Sequence, residues 1–384
     1  MAAKKPKPKR DQVVSSGDMA KKYPGAGVAS VVTIPSDDMI WVPSRCIPLT
    51  YSMGGGLSYG RIAEIYGTES GGKTLAAIDF GYVVQQLGGE IIWNDAEQSF
   101  TPYWAEQNGL DLSRIHIWNS TSVEFVSDWL ADTMLSVRSR LKANEPILFI
   151  QDSLAALDCE ANINATQTDS KAEMGNRAKA IYKMLRIRNQ LIADLGVMCI
   201  FINQLRDKVG AGMFEDPETT PGGKAMKYFA HQRIGFYAGR QINEGPKSRK
   251  KRIGVEVSVR LKKNKLAPPR PTFKSEIYFD PEGSNPLGFN RYLGLLDILV
   301  DTEVVTRSAG GVYFRGDRIA RSEDAFGELI ISDTELRAKL LKRSEVNTIS
   351  RARKKLEGIT SNLYPVKATK VISQLEAPDD DEDE

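Results

Sequence analysis

Eight residues of the sequence, GTESGGKT from Gly67 to Thr74, have the spacing of a loop that binds nucleotide phosphates. Glycines in such a loop let backbone N–H groups turn inward around a phosphate. Lys73 is predicted to neutralise charge on the β- and γ-phosphates, and the Thr74 hydroxyl to ligate Mg²⁺. The predicted binding segment also includes Thr68, Glu69, Ser70, Gly71, Gly72 and Leu75.

A metal bound beside phosphates needs a carboxylate on a neighbouring strand, and the run ILFIQDS supplies Asp152. Four apolar residues precede Gln151 and Asp152, so the carboxylate is predicted at the carboxyl end of a buried strand, where ligands of open α/β sheets collect. Asp152 would hold Mg²⁺ through water, with Ser153 nearby. An aspartate at a strand end is also common without a metal, so this prediction depends on the loop upstream.

Hydrolysis of a bound triphosphate also needs a group that activates or orients water. The run WNDAEQSF places Asp95 and Glu97 after another predicted strand, and Glu97 is the candidate base. Gln204 ends the strand in IFINQLRDK, where a neutral amide would contact the γ-phosphate and report its presence. The alternative for Glu97 and Gln204 is an ordinary polar residue of a loop.

The elements that must position these residues lie between Arg61 and Gly283, where strand-like and helix-like runs alternate. The phosphate-binding loop is predicted to lie between the strand RIAEIY and the helix TLAAIDFGYVVQQL, whose N-terminus adds positive potential. Further strands are predicted in EIIWNDAE, ILFIQDS and VMCIFINQ, and a long helix from about Met174 to Leu195. This alternation predicts an α/β fold with a mostly parallel sheet covered by helices on both faces.

Local signals predict where several helices begin and end. Gly88 and Gly89 predict the end of the helix after the loop. Pro102 follows Thr101 at the start of another helix. Thr121 and Glu124 form a predicted capping box at the start of a third.

Composition divides the chain into four predicted segments. Residues 1–50 are a basic N-terminal arm, and residues 51–283 form the nucleotide-binding core. Residues 284–366 form a small α-rich C-terminal domain, since NRYLGLLDILVDTEVV and DTELRAKLLKRSEVNTISRARKKLE both look helical. Residues 367–384 are predicted to be a disordered acidic tail.

Charge is distributed unevenly along the chain. The net charge of +3, from 52 Lys and Arg against 49 Asp and Glu, rises to +9 when the last six residues, DDDEDE, are left out. A basic body with an acidic end suits a protein that binds polyanions and whose tail competes with them. The alternative is that both ends are solvated termini without a ligand.

Other features of the composition narrow the class of protein. Three widely separated cysteines and two histidines argue against a disulfide framework, a zinc site or a His-based metal centre. No run reaches the roughly 18 apolar residues of a membrane span, and no apolar stretch follows the basic start. The sequence therefore predicts a cytoplasmic protein that does not bind membranes.

Two long polar segments are predicted to leave the sheet near the γ-phosphate edge. DCEANINATQTDSKAE follows Asp152, and LRDKVGAGMFEDPETTPGGK follows Gln204. Segments of this length are unusual as plain connections and are commonly functional. Lys208, Lys224 and Lys227 flank the second segment. This suggests that the bound nucleotide controls whether these segments bind a polyanion.

Six pieces of the chain, in this order, resemble the RecA family of homologous recombinases: GRIAEIYGTESGGKT, DAEQSFTPYWAEQNGLD, DSLAAL, FINQLRDKVG, PETTPGGKAMKYFA and KKNKLAPP. The similarity runs from about residue 53 to 283 and continues more weakly into the C-terminal domain. It implies a RecA-like P-loop ATPase core that uses ATP and Mg²⁺ and forms a helical filament on single-stranded DNA. Homologous pairing with double-stranded DNA, in recombination and repair, would be its function, and mediator or repressor proteins would be further partners.

The resemblance also implies roles for individual residues. Gly67–Thr74 matches the Walker A loop, Asp152 belongs to Walker B, Glu97 matches the catalytic glutamate, and Gln204 matches the γ-phosphate sensor. DNA-binding loops would span about residues 160–173 and 205–224. The implied DNA contacts are Lys179, Arg186, Lys208, Gly222, Gly223, Lys224 and Lys227. Lys263 and Lys265 match lysines that reach the ATP of a neighbouring subunit, and Tyr228 matches an aromatic residue that couples subunits.

The chain departs from the family pattern at several positions. Trp104 aligns with the adenine-stacking tyrosine, and Tyr103 beside it is the other option. Thr101 stands where the family has an aspartate near the adenine. The resemblance implies that residues 1–50 are also an oligomerisation segment, but the polymerisation helix is short and rich in Lys and Pro here. The first DNA-binding loop also diverges.

Three other classes of protein share parts of this pattern. A ring-forming DNA helicase and a circadian or signalling ATPase are built on the same core, and an ATP-stabilised filament would coat DNA without hydrolysis. The pieces around Gln204 and PETTPGG favour the recombinase.

Overall fold

The computed structural model describes residues 39–165, 173–207, 218–246, 248–268, 272–280 and 285–357. The helices are α1 (Ile47–Ser52), α2 (Lys73–Gln86), α3 (Pro102–Gln107), α4 (Val123–Arg140), α5 (Glu160–Ile163), α6 (Glu173–Asp194), α7 (Ala225–Phe229), α8 (Leu295–Asp301), α9 (Glu323–Ser332), α10 (Thr334–Arg343) and α11 (Ile349–Glu357). The strands are β1 (Trp41–Val42), β2 (Leu57–Ser58), β3 (Ile62–Gly67), β4 (Glu90–Asp95), β5 (Ile115–Trp118), β6 (Ile147–Asp152), β7 (Met198–Gln204), β8 (Arg206–Asp207), β9 (Glu218–Thr219), β10 (Gln232–Glu244), β11 (Lys251–Asn264), β12 (Phe273–Tyr278), β13 (Gly288–Phe289), β14 (Thr306–Ser308), β15 (Gly311–Phe314) and β16 (Asp317–Ala320).

A nine-stranded sheet organises the molecule, with the strand order β13-β12-β11-β10-β3-β7-β6-β4-β5. All neighbours from β10 to β5 pair in parallel. The other three pairings, from β10 through β11 and β12 to β13, are antiparallel. The predicted α/β fold with a mostly parallel sheet is therefore confirmed. The two long strands β10 and β11 were not predicted, although the run VEVSVRL within β11 alternates apolar and polar residues.

The central parallel strands are buried on both faces, which explains why their sequences are continuous apolar runs. Every residue of β3 and of β6 is buried. Helices α4 and α6 pack on the sheet and share a hydrophobic cluster with it that contains Val126, Leu130, Phe149, Ile181 and Phe201. The rings of Phe149 and Phe201 meet edge to face, with their centroids 5.7 Å apart.

The predicted helices of the core are present, with one correction at a helix start. Helix α2 ends at Gln86, and Gly88, at φ +88°, donates its N–H to the Gln85 carbonyl, as the two glycines predicted. The predicted capping box of Thr121 and Glu124 is wrong, because Ser122 is the N-cap of α4 and accepts from the N–H of Phe125. The Thr121 carbonyl accepts instead from the N–H of Asp158.

The C-terminal part of the chain has a small hydrophobic cluster of its own. Helices α8, α9 and α10 contribute to it, and so does Ile47 of α1. A three-stranded antiparallel sheet, β14-β15-β16, lies between α8 and α9 in sequence and was not predicted. The second predicted helix is two helices, α10 and α11, separated at Ser344–Thr348. The predicted domain boundaries at residues 50, 283 and 366 remain predictions.

All three cysteines are buried free thiols. Burial raises the pKa of the Cys46 thiol to about 12 and raises that of Cys199 as well. Among the described residues, no helix combines the length and the apolarity needed to cross a bilayer.

Candidate nucleotide and DNA site

The GTESGGKT loop leaves β3 at Gly67 and enters α2 at Lys73, as the motif requires. Gly72 is the N-cap of α2 at φ +88°, and a Cβ placed there would lie 2.1 Å from the Ile277 side chain. A Cβ at Gly67 would lie 1.8 Å from the Phe236 carbonyl oxygen. Both positions therefore require glycine, for backbone conformation at Gly72 and for close approach to β10 at Gly67.

The Lys73 side chain folds back over the loop. Its Nζ donates to the carbonyl of Thr68 at 2.7 Å and to that of Gly67 at 3.3 Å. Burial lowers the pKa of Lys73, while the nearby carboxylates of Asp152, Glu97 and Glu69 raise it. The Lys73 ammonium is therefore held at the loop by two carbonyl oxygens, with three carboxylates nearby.

Thr74 and Asp152 meet across the gap between α2 and β6. The Thr74 hydroxyl donates to Asp152 Oδ2 at 2.8 Å. Burial raises the pKa of Asp152 to about 6, against the Thr74 hydrogen bond, which lowers it. A hydroxyl and a carboxylate that face each other are hard oxygen donors, and these are the donors that fit Mg²⁺. The pair therefore suits the metal that the loop implies.

Glu97 lies at the same edge of the sheet and forms hydrogen bonds with three residues there. Its Oε1 accepts from the Ser153 hydroxyl and, at 3.3 Å, from Gln204 Nε2. Its backbone N–H donates to the Asp152 carbonyl at 3.3 Å. The carboxylate of Asp95, the other acidic residue of this segment, accepts hydrogen bonds from the N–H groups of Ser99 and Phe100. The structure thus brings Glu97, rather than Asp95, to Gln204.

A cleft of about 370 Å³ opens beside the phosphate-binding loop. Trp104 of α3 lines it, whereas Tyr103 does not and is 62% exposed. Arg252, Val255, Ile277 and Phe279 form another part of the wall. The Arg252 guanidinium lies 5.3 Å from the centre of the Phe279 ring.

These four wall residues were missed by sequence reasoning. They belong to β11, to β12 and to the residue that follows β12, and they lie far beyond the loop in the chain. The available sequence signals were the basic run KSRKKR, which includes Arg252, and the alternating run VEVSVRL, which begins at Val255.

Lys263 and Lys265 lie away from the loop of their own chain. Lys263 pairs with Arg233 in the β10–β11 ladder, whereas Gly67 is level with Phe236, three residues further along β10. Three residues of strand correspond to about 10 Å. Lys263 Nζ donates to the Lys227 carbonyl at 2.7 Å, at α7. Burial and then Lys265 lower the pKa of Lys263.

His231 is a half-buried neighbour of these lysines and provides a test of the local electrostatics. Its Nδ1 accepts from the Ile62 N–H at 3.4 Å. Burial, followed by the charges of Arg61, Lys265 and Lys263, lowers the pKa of His231 from 6.5 to about 4. The folded state therefore binds this proton less readily than the unfolded chain. Stability from this group is complete above pH 6.5 and is lost as pH falls towards 4.

We expect His231→Gln to lessen the loss of stability on acidification. Between pH 7 and pH 5 the wild type should lose roughly 1 kcal/mol through this residue, since partial exposure screens part of the shift. Urea unfolding at both pH values measures the difference. Equal pH dependence in wild type and His231→Gln would contradict the expectation.

A basic surface on α6 and α7 carries three of the residues predicted to contact DNA, Lys179, Arg186 and Lys227. A groove of about 470 Å³ is lined by Ala178, Lys179, Tyr182, Lys183 and Arg186. The Tyr182 ring lies 6.4 Å from the ring of Tyr228 on α7. Sequence reasoning missed Tyr182 and Lys183, whose helical spacing with Lys179 and Arg186 was the available signal.

The second predicted DNA-binding loop returns to this surface at its C-terminal end. Gly222 and Gly223 have φ of +91° and +68°. A Cβ at Gly223 would lie 3.3 Å from Ala178 on α6. Lys224 and Lys227 are exposed beside it. Lys208, residues 166–172 of the first loop, the N-terminal arm up to residue 38 and the acidic tail lie outside the described residues.

The fold and the loop define the class of the protein as a P-loop α/β nucleotide-binding protein. Comparison with known proteins identifies the family. Residues 17–284 match the RecA N-terminal domain. The chain therefore belongs to the RecA family.

Relatives at about 30% identity extend over most of the chain. Protein RecA of Chloroherpeton thalassium is 32% identical over 315 residues, which cover 81% of this chain and 82% of that protein. Protein RecA of Lactobacillus delbrueckii subsp. bulgaricus is 33% identical over 284 residues, covering 74% and 80%. Protein RecA of Acholeplasma laidlawii is 31% identical over 303 residues, covering 79% and 86%. Family membership supports the predicted recombination and repair function and does not favour the helicase or DNA-coating alternatives.

Proposed function

We propose that this chain is an ATP-dependent homologous recombinase that forms a filament on single-stranded DNA and exchanges strands with a homologous duplex. The observation that carries the proposal is the contact between Gln204 and Glu97. Glu97 lies beside the phosphate-binding loop, and Gln204 ends β7, the strand that the second loop follows. The occupant of the nucleotide cleft can therefore influence the segment that faces DNA.

The described contacts support specific roles at the nucleotide. Thr74 and Asp152 would hold Mg²⁺, which supplies positive charge to the phosphate oxygens. Lys73, beside the loop carbonyls, would bind the β- and γ-phosphates. Trp104 would stack on the base, because it and not Tyr103 lines the cleft. Glu97 would orient the attacking water, with Ser153 and Gln204 holding its carboxylate.

The position of Lys263 and Lys265 supports a second role, in trans. Both are separated from the loop of their own chain by about 10 Å or more along the sheet. In a head-to-tail filament the surface of one protomer meets a different surface of the next. These lysines would then reach the phosphates of the adjacent protomer, with exposed Tyr228 at the same seam.

DNA would bind the basic surface through its phosphates, leaving the base edges free for pairing. The double variant Lys179→Ala/Arg186→Ala should reduce the slope of log affinity against log salt by about 1.4, because two side chains would no longer neutralise phosphates of the single strand. Fluorescence anisotropy with labelled oligonucleotide from low to moderate salt measures this. Arg307→Ala is the control, because Asp297 and Glu323 already neutralise that charge. An unchanged slope in the double variant would remove these residues from the DNA surface.

Strand exchange tests the function as a whole. Circular single-stranded DNA and homologous linear duplex should yield joint molecules with wild type and ATP, and none with Lys73→Ala. Unwinding of forked DNA without joint molecules would indicate the helicase, and ATP turnover that DNA does not stimulate would indicate a signalling ATPase.

A further inference from the structure

Glu64 is a buried carboxylate that the roles above do not use. It lies in β3, three residues before Gly67, and is 0% exposed. Its Oε1 accepts from Asn203 Nδ2 at 3.0 Å, and its Oε2 accepts from Arg233 Nε at 2.5 Å. A buried charge is strongly destabilising once one partner is removed. Asn203 and Arg233 are therefore held firmly at the strand that leads into the phosphate-binding loop.

Asn203 connects this carboxylate to two other parts of the molecule. It is 0% exposed and immediately precedes Gln204 in β7. Its Oδ1 accepts from the Gln204 backbone N–H at 3.0 Å. Its Nδ2 donates at 3.0 Å to the carbonyl of Pro221, after β9, as well as to Glu64. One planar amide thus links Gln204, Glu64 and the end of the second loop.

Arg233 also contacts this segment. Its guanidinium contacts the Thr220 hydroxyl at 3.5 Å and lies 5.1 Å from the centre of the Tyr66 ring, next to Gly67. Thr220 is buried at 4% exposure. Both partners of Glu64 therefore also hold residues 220–221, directly before Gly222, Gly223 and Lys224.

We propose that Glu64, Asn203 and Arg233 are positioning residues that couple the nucleotide site to the C-terminal end of the second DNA-binding loop, an inference that rests on the proposed function. The planar Asn203 amide is the coupling element. When the Gln204 backbone moves, the amide must break its bond to Gln204 or rotate. Rotation withdraws Nδ2 from Glu64 and Pro221 together. Residues 220–224 then change position with the occupant of the cleft, although none of the three residues lines that cleft.

The test is the ratio of single-stranded DNA affinities measured with a non-cleavable ATP analogue and with ADP. Asn203→Ser shortens the side chain and removes the reach to Glu64 and Pro221. We expect it to reduce this ratio about 10-fold, with nucleotide affinity within about 2-fold of wild type. Arg233→Lys retains a cation for Glu64 but lacks the fork that also reaches Thr220, so it should reduce the ratio by less.

Asn94→Ser is the matched control for removal of a buried amide. Asn94 is also 0% exposed and donates to Gln151 and to the Ser120 carbonyl, with no contact to residues 220–221 among the described hydrogen bonds. It should lower stability but leave the affinity ratio unchanged. Hydrogen exchange of residues 218–224 gives an independent readout, since protection should differ between the two nucleotides in wild type and not in Asn203→Ser.

The outcomes separate this inference from the proposed function. If wild type binds DNA equally well with both nucleotides, the proposed function is wrong. If wild type discriminates and Asn203→Ser discriminates equally, or if Asn94→Ser loses the same ratio, the coupling role of Asn203 is wrong. Should Asn203→Ser fail to fold, Arg233→Lys decides: an unchanged ratio and unchanged exchange at residues 218–224 overturn the inference.

Discussion

Glu97→Gln is expected to lower DNA-stimulated ATP hydrolysis by about two to four orders of magnitude, the usual contribution of a positioned general base. Glutamine keeps an oxygen that can accept from Gln204 and Ser153, the two donors that Glu97 contacts. Nucleotide-dependent DNA binding should therefore survive the change. Steady-state phosphate release and anisotropy on single-stranded DNA measure the two properties separately.

Glu106→Gln serves as the control for removal of one carboxylate. Glu106 is exposed on α3, two residues after Trp104, and no hydrogen bond to Gln204 is described for it. It should keep hydrolysis and DNA binding. If Glu97→Gln retained more than about a tenth of the wild-type rate, another group would have to orient the water.

Two inactive variants should restore activity when mixed. Lys73→Ala lacks the loop lysine, and Lys263→Ala/Lys265→Ala lacks the pair proposed to act on the next protomer. Each alone should hydrolyse ATP about 100-fold more slowly than wild type. In an equimolar mixed filament, roughly a quarter of the seams would join an intact loop to an intact lysine pair, because the interface is head to tail.

The control mixture combines Lys73→Ala with Glu97→Gln. Both residues lie at the same site of one chain, so every seam in this mixture lacks one of them. No recovery is expected there. Absence of recovery with the lysine pair as well, in filaments shown to contain both variants, would place Lys263 and Lys265 outside the neighbouring site.

Two kinds of nucleotide-binding residue could be predicted from the sequence: those that form one continuous motif, and those at the ends of strands. Gly67 to Thr74 is a single local motif, and Asp152 and Gln204 close continuous apolar runs, which marked them as strand ends in advance. Parallel strands bring such ends to one edge of a sheet. Adjacency of these groups therefore follows from topology, before any side chain is placed.

Residues contributed by the antiparallel part of the sheet could not be predicted in this way. Arg252 and Phe279 reach the cleft because β11 and β12 pair beside β10. The alternating run VEVSVRL indicates a strand in this segment, but no local signal says which strand it pairs with. The choice between Trp104 and Tyr103 was also open, since neighbouring residues on a helix point about 100° apart. Only packing of α3 decides which one faces the cleft.

Short strands and the exact start of a helix also could not be predicted from the sequence. Strands β14, β15 and β16 have three or four residues each, too few for alternation to identify them. At the start of α4, Thr121 and Ser122 were both suitable caps. The hydrogen bond from Asp158 to the Thr121 carbonyl, made by a segment distant in sequence, selected Ser122.

By itself the sequence determined the P-loop, the α/β alternation and the family pattern, because each of these depends on residues close together in the chain or on buried apolar runs. Tertiary structure alone decided that Glu97 meets Gln204, that Trp104 lines the cleft, and that Glu64 holds both Asn203 and Arg233. Those contacts join segments far apart in sequence. Their geometry depends on strand order and register, which arise only when the whole sheet is assembled.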